Sequence, residues 1–228
     1  MQFKIISNEV LRECLSNYIK HPNRTYESFS KFVKLNISKE KFEEYKVGEI
    51  TLGDIKNIVS GVNINTEKEV GRIKLIWGKK EEEILKTMNN LTGLSITSKD
   101  IICYIDPYQR GGYYGEDNIT VGTFSNSKDV MFVIAHELFH IFYWRKLYEL
   151  KITKSTMGNE SFKEWKIAEA TDHILLTTNE MRRFWADIEI EPYPEIEDVL
   201  KELNFFWDNN SFEDYLKKAY NTLENGKE

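Results

Sequence analysis

A five-residue pattern, His136-Glu137-Leu138-Phe139-His140, constrains this chain more than any other feature of the sequence. On an α-helix the two imidazoles lie one turn apart on nearly the same face, so both can reach one metal ion. Glu137 lies beside them, where its carboxylate can touch a water on that metal. Zinc takes nitrogen and carboxylate ligands and, in catalytic sites, keeps a position open for water. The pattern therefore predicts two zinc ligands and a general base on one helical turn.

The residues around this pattern are almost entirely apolar. The flanking segments read VMFVIA before the first histidine and IFYW after the second. A helix that is apolar on all sides is a buried helix, and buried imidazoles and carboxylates need partners. Metal coordination supplies them; the alternative is a pair of core histidines that hydrogen-bond to the backbone. We predict a buried helix over residues 129–150.

A third metal ligand is expected from a second helix, predicted over residues 161–178 from its apolar positions. Glu169 lies in the middle of that helix and is our first choice for a site with two histidines and one glutamate. His173, one turn further along, is the rival. Glu160 and Glu164 fall near the helix start, where a carboxylate is commonly a solvated cap. A surface position is the alternative for Glu169.

Roles follow for the remaining polar groups around the predicted metal. Asp172 is expected either to orient a ligand imidazole or to lie on the helix surface. A bound zinc would lower the pKa of water toward about 7, and Glu137 would take the proton and pass it to the leaving amine. A further electrophile for the oxyanion is expected among five residues: Tyr113, Tyr114, His173, Arg182 and Tyr193.

Composition sets the class and the compartment. With 228 residues, rich in Phe, Tyr and Trp, the chain can bury a core. The net charge of −6 disfavours nucleic-acid binding by the chain as a whole. Cys14 and Cys103 are far apart, as expected in a reducing compartment. The sequence starts without an apolar signal segment, and no apolar run approaches about 18 residues. We expect a cytoplasmic protein without a membrane partner.

The order of predicted elements indicates an α+β protein of two parts. Residues 1–66 are expected to form a small helical bundle and residues 67–228 a second domain with a sheet of three or more strands and a helical C-terminal part. Helices of the bundle are predicted over 8–20, 26–35, 38–46 and 51–60, and residues 63–69 as the linker. Strands are predicted over 70–77, 100–106 and 118–124, with a helix over 79–90 and a turn-rich loop over 107–115. Further helices are predicted over 180–187, 194–207 and 211–225.

The first part resembles the Xre/Cro-type helix-turn-helix family. The resemblance lies in residues 27–64, ESFSKFVKLNISKEKFEEYKVGEITLGDIKNIVSGVNI. Its core and turn positions are Phe29, Phe32, Ile37, Phe42, Tyr45, Gly48, Leu52, Ile55 and Ile58. The second helix of the motif carries three lysines against three glutamates, which phosphates repel. That composition disfavours DNA and leaves dimerisation, docking of a regulator or structural packing as alternatives.

The second part resembles a zincin, with a strand, helix, strand, loop and strand before the metal helix and the last strand, 118–124, at the sheet edge beside the metal. A peptide substrate could add to that edge. The whole chain resembles the ImmA/IrrE-type metallopeptidases, which follow His-Glu-x-x-His with a Glu-Ala pair inside a second helix that ends in Leu-Leu. The matching stretch here is AEATDHILL, residues 168–176, with Thr171 where an Asn is common and Thr177-Thr178 where Met-Pro is common.

This resemblance implies an intracellular zinc endopeptidase that cleaves a regulatory protein, often a repressor, with His136, His140 and Glu169 as ligands. The alternative is a regulatory DNA- or protein-binding module whose metal site is structural or vestigial. An intact Glu137 favours the enzyme, because a structural site needs no base. The sequence makes no prediction of the oligomeric state.

Overall fold

The computed structural model describes residues 1–20, 24–60, 66–109, 111–123, 127–157, 160–208 and 210–225. Within them the chain is mixed α+β, as predicted, with one small sheet among many helices. The strands are β1 (Gln2–Ile5), β2 (Ile102–Asp106), β3 (Gly112–Tyr114) and β4 (Asn118–Gly122). The first helices are α1 (Asn8–Lys20), α2 (Tyr26–Phe32), α3 (Lys39–Val47), α4 (Leu52–Val59), α5 (Thr66–Gly78) and α6 (Glu81–Thr92). The later helices are α7 (Ser127–Leu150), α8 (Phe162–Thr177), α9 (Asn179–Arg182), α10 (Glu197–Trp207) and α11 (Phe212–Asn225).

The sheet has the strand order β1-β2-β4-β3. The first three strands in this order are parallel, and β3 runs antiparallel to β4 with Tyr113 opposite Thr120. Side chains of the central strands, such as Cys103 and Val121, are fully buried, as expected for parallel strands covered by helices. This arrangement leaves β3 as the terminal strand, on the side of the sheet that contacts α7.

The sheet differs from the prediction in one wrong strand position and one strand that was not predicted. The strand predicted over 118–124 is an interior strand, and the edge belongs to β3, which lies in the segment predicted to be a loop. The N-terminal residues, predicted only to lack a signal segment, form β1 and extend the sheet at its other side. Short strands of three or four residues give too little alternation to be recognised in a single sequence.

Residues 70–77 form a helix and not the predicted strand. They belong to α5, in which Ile73 and Trp77 are fully buried while Leu75 is 66% exposed. A spacing of four residues between the buried positions fits one face of a helix. The exposed Leu75 excludes a strand, which would place residues 73, 75 and 77 on one face. The predicted linker is also shorter, because α5 begins at Thr66. Its first part falls within 61–65, outside the described residues.

The N-terminal helices follow the prediction closely. Ser38 and Thr51 cap α3 and α4 through their hydroxyls, which satisfies backbone N–H groups at the helix starts. Phe29 and Phe42 pack with ring centroids 5.3 Å apart in a hydrophobic cluster of their own. That separate cluster agrees with a helical module, although β1 belongs to the sheet. The boundary at residue 66 stays a prediction.

The larger hydrophobic core lies around α7. This helix contacts the sheet through β3 and β4 and packs against α5, α6, α8 and α11. Among the described residues no helix is both long enough and apolar enough to cross a membrane. Since α7 carries the His-Glu-x-x-His residues, the core holds the candidate site in place.

Candidate metal centre

Helix α7 is buried because its residues are apolar on nearly all sides. Its central residues, including Leu138, Phe139 and Phe142, have no exposed surface. The predicted helix of residues 129–150 is confirmed, with two more residues at its start. Contacts with β3, β4, α5, α6, α8 and α11 hold the helix in one orientation, and this sets the direction of its side chains.

The two histidines converge as the spacing predicts. The Nε2 atoms of His136 and His140 lie 3.2 Å apart, and the rings are nearly perpendicular. Two nitrogen ligands at normal zinc distances in a tetrahedral site lie roughly 3.3 Å from each other. The separation between these atoms therefore suits a shared metal ion.

Glu169 faces the same pair of nitrogens from α8. Its Oε2 lies 3.7 Å from Nε2 of His136, and its Oε1 lies 3.6 Å from Nε2 of His140. Ser161 caps the start of helix α8. Its hydroxyl accepts from the backbone N–H of Glu164 in a reciprocal capping box. Glu164 is occupied by this cap, as expected for a carboxylate at a helix start.

Asp172 lies one turn after Glu169 and meets the opposite side of the second imidazole. Its Oδ2 is 2.9 Å from Nδ1 of His140, although this contact does not have hydrogen-bond geometry. Ligand atoms of His136, His140 and Asp172 all lie within 4.8 Å of one another, so this trio is also a potential metal site. The two nitrogens of one imidazole point in divergent directions. Glu169 and Asp172 therefore face different nitrogens of His140.

The electrostatics of these groups fit a cation. Burial lowers the pKa of His136 and of His140, which favours the neutral imidazoles that metals require. Burial raises the pKa of Glu169 to about 7, and it raises the pKa of Asp172 well above its ordinary value. Buried oxygens of both carboxylates lack a hydrogen-bond partner among the described residues. A divalent cation would satisfy these atoms and offset the cost of burying negative charge.

Glu137 lies on the same turn and against the backbone of β3. Its Oε1 is 4.0 Å from Nε2 of His136, and its side chain is 6% exposed. Burial, followed by the charge of Glu169, raises the pKa of Glu137 well above its ordinary value. A Cβ atom on Gly112 would lie 2.3 Å from Oε1 and 2.5 Å from Cδ of Glu137. The glycine thus gives the Glu137 carboxylate the space that it occupies.

Replacement of Gly112 by Ala is expected to lower the free energy of unfolding by about 1–3 kcal/mol, because the added methyl collides with the Glu137 side chain. Urea unfolding measures this loss. In a Glu137→Ala background the same substitution should cost much less. Gly71→Ala is the matched control, since nothing lies within 4 Å of its added Cβ. An equal cost of Gly112→Ala in both backgrounds would contradict the assigned contact.

Strand β3 also supports the second histidine. Tyr114 stacks on the imidazole of His140 with ring centroids 4.1 Å apart and an angle of 23°, and its hydroxyl lies 3.4 Å from Oε1 of Glu160. The neighbouring Tyr113 stacks on Tyr114 with ring centroids 6.0 Å apart, and its hydroxyl accepts from the side-chain amide of Asn17 on α1. The strand therefore joins α7 to the N-terminal module.

A cleft of about 330 Å³ opens over these groups. Four of the five expected oxyanion partners line it: Tyr113, Tyr114, His173 and Tyr193. The fifth, Arg182, is directed elsewhere and donates to the backbone oxygens of Ile188 and Ala186. Glu160 also lines the cleft, where its Oε1 lies 3.4 Å from the Tyr114 hydroxyl.

Asp106, at the end of β2, is a further buried acid on the cleft wall. It is 1% exposed, and its Oδ1 accepts the backbone N–H of Tyr108. Burial raises the pKa of Asp106 from 3.8 to about 7. Stability from this group is therefore fully present below pH 3.8, falls as the pH rises toward about 7, and is lost above that value.

Asp106→Asn is expected to stabilise the protein at pH 8 by on the order of 2–4 kcal/mol and to have little effect near pH 4. Asparagine can accept the same N–H without the cost of a buried charge. Urea unfolding at several pH values measures this, with exposed Asp208→Asn as the control. The same gain at both pH values would contradict an ionised Asp106 as its cause.

Sequence reasoning missed several residues of the cleft. Asn17, Tyr18 and Arg24 come from the N-terminal module and line the cleft across from α7. No local pattern could have placed them there, because their contacts are separated from the histidines by more than a hundred positions. Gly112 did carry a signal, since a glycine pair beside a strand often marks a close approach of backbone to another group.

Comparisons with known proteins add no assignment. No protein-family model matches this chain, and no curated protein and no solved structure does. The candidate function therefore depends on the geometry of the cleft.

Proposed function

We propose that the chain is a zinc-dependent endopeptidase. The observation that carries the proposal is the convergence of three side chains: the Nε2 atoms of His136 and His140 lie 3.2 Å apart, and the Glu169 carboxylate lies within 3.7 Å of each. Glu137 shares their cleft, and a purely structural metal site needs no such base. The proposed architecture is a helix-turn-helix-like domain followed by a zincin-type domain, as in the ImmA/IrrE-type metallopeptidases.

His136, His140 and Glu169 would hold the ion, and Asp172 would orient His140. With Nε2 facing the metal, the proton of that imidazole belongs on Nδ1, which the Asp172 carboxylate faces at 2.9 Å. Tyr114 restrains the same ring by stacking on it. These contacts support a preorganised site, in which the ligands need little rearrangement to bind.

Glu137 is the proposed general base. When bound, zinc supplies Lewis acidity that polarises a peptide carbonyl and makes water more acidic. The Glu137 carboxylate accepts a proton from the attacking water and later donates it to the leaving amine. Close approach to Gly112 holds the carboxylate in the cleft. The low exposure of Glu137 keeps bulk water away from it.

Substrate would bind along β3. Among the described residues, β3 is the terminal strand of the sheet, and it contacts α7. An extended peptide could therefore pair with the outer edge of β3. Tyr113, Tyr114, His173 and Tyr193 remain the candidates for contact with the developing oxyanion. A regulatory protein of the cytoplasm, of the repressor class, is the proposed natural substrate, on the strength of the family resemblance.

The N-terminal module is proposed to act in this cleft and not on DNA. On α3, the second helix of the helix-turn-helix-like motif, Lys41 pairs with Glu44 at 2.9 Å, and Lys39 lies 3.7 Å from Glu27. Lysines paired with acids are poorly placed to neutralise phosphates. The module lines the cleft through residues of α1.

Incubation of the zinc-loaded protein with an unfolded polypeptide tests the proposal. We expect internal cleavage, measured by mass spectrometry, that a chelator stops and added zinc restores. A preparation that contains zinc and still cleaves no unfolded chain would contradict an endopeptidase and favour the regulatory binding module.

A further inference from the structure

The cleft wall built by the N-terminal module carries a single basic side chain among the described lining residues, Arg24. We propose that Arg24 receives a carboxylate of the substrate, so that the cleft selects peptides with a carboxylate close to the scissile bond. This carboxylate is either the C-terminus of the peptide or an Asp or Glu side chain. The inference rests on the proposed peptidase activity and names its substrate class.

Arg24 is held at the cleft by contacts on both its ends. The Cζ atom of the guanidinium lies 4.8 Å from the centre of the Tyr18 ring, which also lines the cleft. The backbone oxygen of Arg24 accepts from Nζ of Lys46 at 3.2 Å, and the next residue, Thr25, caps α2. Stacking and a fixed backbone preorganise a guanidinium, so that less freedom is lost when it binds.

The guanidinium has unused capacity for a carboxylate. Within the described part of the chain, no acidic group lies within 4.0 Å of it in an ion pair. Two acids of the cleft have other contacts: Asp106 accepts the Tyr108 N–H, and Glu160 lies by the Tyr114 hydroxyl. A planar guanidinium matches a carboxylate with two parallel N–H···O bonds. A half-buried one facing a cleft therefore favours an anionic ligand.

Arg24 is also within electrostatic range of the metal end of the cleft. Its positive charge shares one cleft with Glu169 and Tyr193, which lie towards the candidate metal site. A peptide whose carbonyl lies by Glu169 and Glu137 can thus bring a neighbouring carboxylate under the influence of this charge. The acids Glu160 and Glu191 on the same cleft favour a basic substrate instead, and that preference is a distinct outcome of the test.

The test is a cleavage profile of a mixture of synthetic unstructured peptides, read by mass spectrometry. Wild type is compared with Arg24→Gln, Arg24→Lys and Glu137→Gln. Arg12→Gln is the matched control, since Arg12 lies on α1 and pairs with Glu13 at 3.8 Å on the surface. We expect wild type to favour carboxylate-bearing sites by about 10- to 100-fold, the effect of a charge-assisted hydrogen-bonded pair. Arg24→Gln should lose this preference, mainly through KM, while Arg24→Lys retains part of it and Arg12→Gln keeps all of it.

Matched peptides identify the source of the carboxylate. If it is the C-terminus, amidation of the peptide abolishes the preference; if it is a side chain, replacing Asp by Asn or Glu by Gln abolishes it. Cleavage by wild type with no carboxylate preference, with a preference for Lys or Arg, or with a preference that Arg24→Gln retains, would overturn the inference and leave the peptidase proposal standing.

A binding measurement separates the two proposals when nothing is cleaved. Cleavage of no peptide above the Glu137→Gln background counts against the peptidase itself. Calorimetry of N-acetyl-Phe-Ala and of its C-terminal amide, and of N-acetyl-Phe-Asp-amide and N-acetyl-Phe-Asn-amide, on the Glu137→Gln protein then tests the carboxylate site alone. Tighter binding of an acid than of its amide, lost in Glu137→Gln/Arg24→Gln, supports the inference. Equal binding of each pair, or no binding, overturns it.

Discussion

Replacement of Glu137 by Gln will lower peptide hydrolysis by about 100- to 10,000-fold and leave zinc binding intact. The substitution keeps the shape of the side chain next to Gly112 but removes the group that accepts the proton of water. His136, His140 and Glu169 are untouched, so the metal should remain at about one ion per chain by elemental analysis. The measurement pairs that metal content with the initial rate of cleavage of one peptide.

Glu149→Gln is the matched control for this prediction. Glu149 lies on the same helix, is exposed and pairs with Lys146 at 3.0 Å, so its replacement should leave the rate within a factor of about two. Full activity in Glu137→Gln would remove Glu137 as the base. Loss of both activity and zinc would instead indicate that Glu137 holds the metal site together.

Burial also affects the protonation state of Glu137. Burial and the charge of Glu169 raise the pKa of Glu137 above its ordinary value, which favours its neutral form. A general base must be ionised before it can accept a proton. A cation on the neighbouring ligands is the natural source of the opposing charge, and so the base and the metal depend on each other.

The candidate metal-binding residues were predictable because their signal is local. Two histidines four residues apart and a glutamate between them need only a helix to converge, and the apolar flanks specified a buried helix. The same logic found Glu169 on a second helix of similar character. The sequence left open the choice between Glu169 and His173 and gave Asp172 only an orienting or a surface role, whereas the structure makes Asp172 an alternative ligand.

The walls of the cleft were not predictable, because they depend on contacts between distant segments. Strand β3 has only three residues and was predicted as a loop, yet it positions Gly112, Tyr113 and Tyr114 against the metal helix and α1. Arg24 follows the first helix of a module that resembles a DNA-binding fold. In such a fold, a basic residue is expected to contact a DNA phosphate. Its place in the cleft follows from packing between the module and the sheet. The periodicity of apolar residues in the sequence does not predict such packing.

Glu169→Gln and Asp172→Asn will affect zinc affinity by different amounts, and the difference identifies the third ligand. Removing a ligand carboxylate should weaken zinc binding by about 100-fold or more. Removing a group that only orients a ligand imidazole typically costs about 10- to 100-fold. We therefore expect Glu169→Gln to lose zinc on dialysis, like His136→Ala, and Asp172→Asn to retain it with reduced affinity. Competition with a metal chelator measures both constants.

Geometry gives the reason for this order. Glu169 faces the Nε2 atoms of both histidines at 3.6–3.7 Å, whereas Asp172 faces only Nδ1 of His140. Thermal unfolding provides a second readout: zinc at about 100 times its Kd should stabilise Asp172→Asn by nearly 3 kcal/mol, but not Glu169→Gln at the same concentration. The reverse order, with zinc lost from Asp172→Asn and kept by Glu169→Gln, would assign the metal to the His136, His140 and Asp172 trio. Glu137 would then lie beside a metal held from the other side of His140, and its role as the base would have to be abandoned.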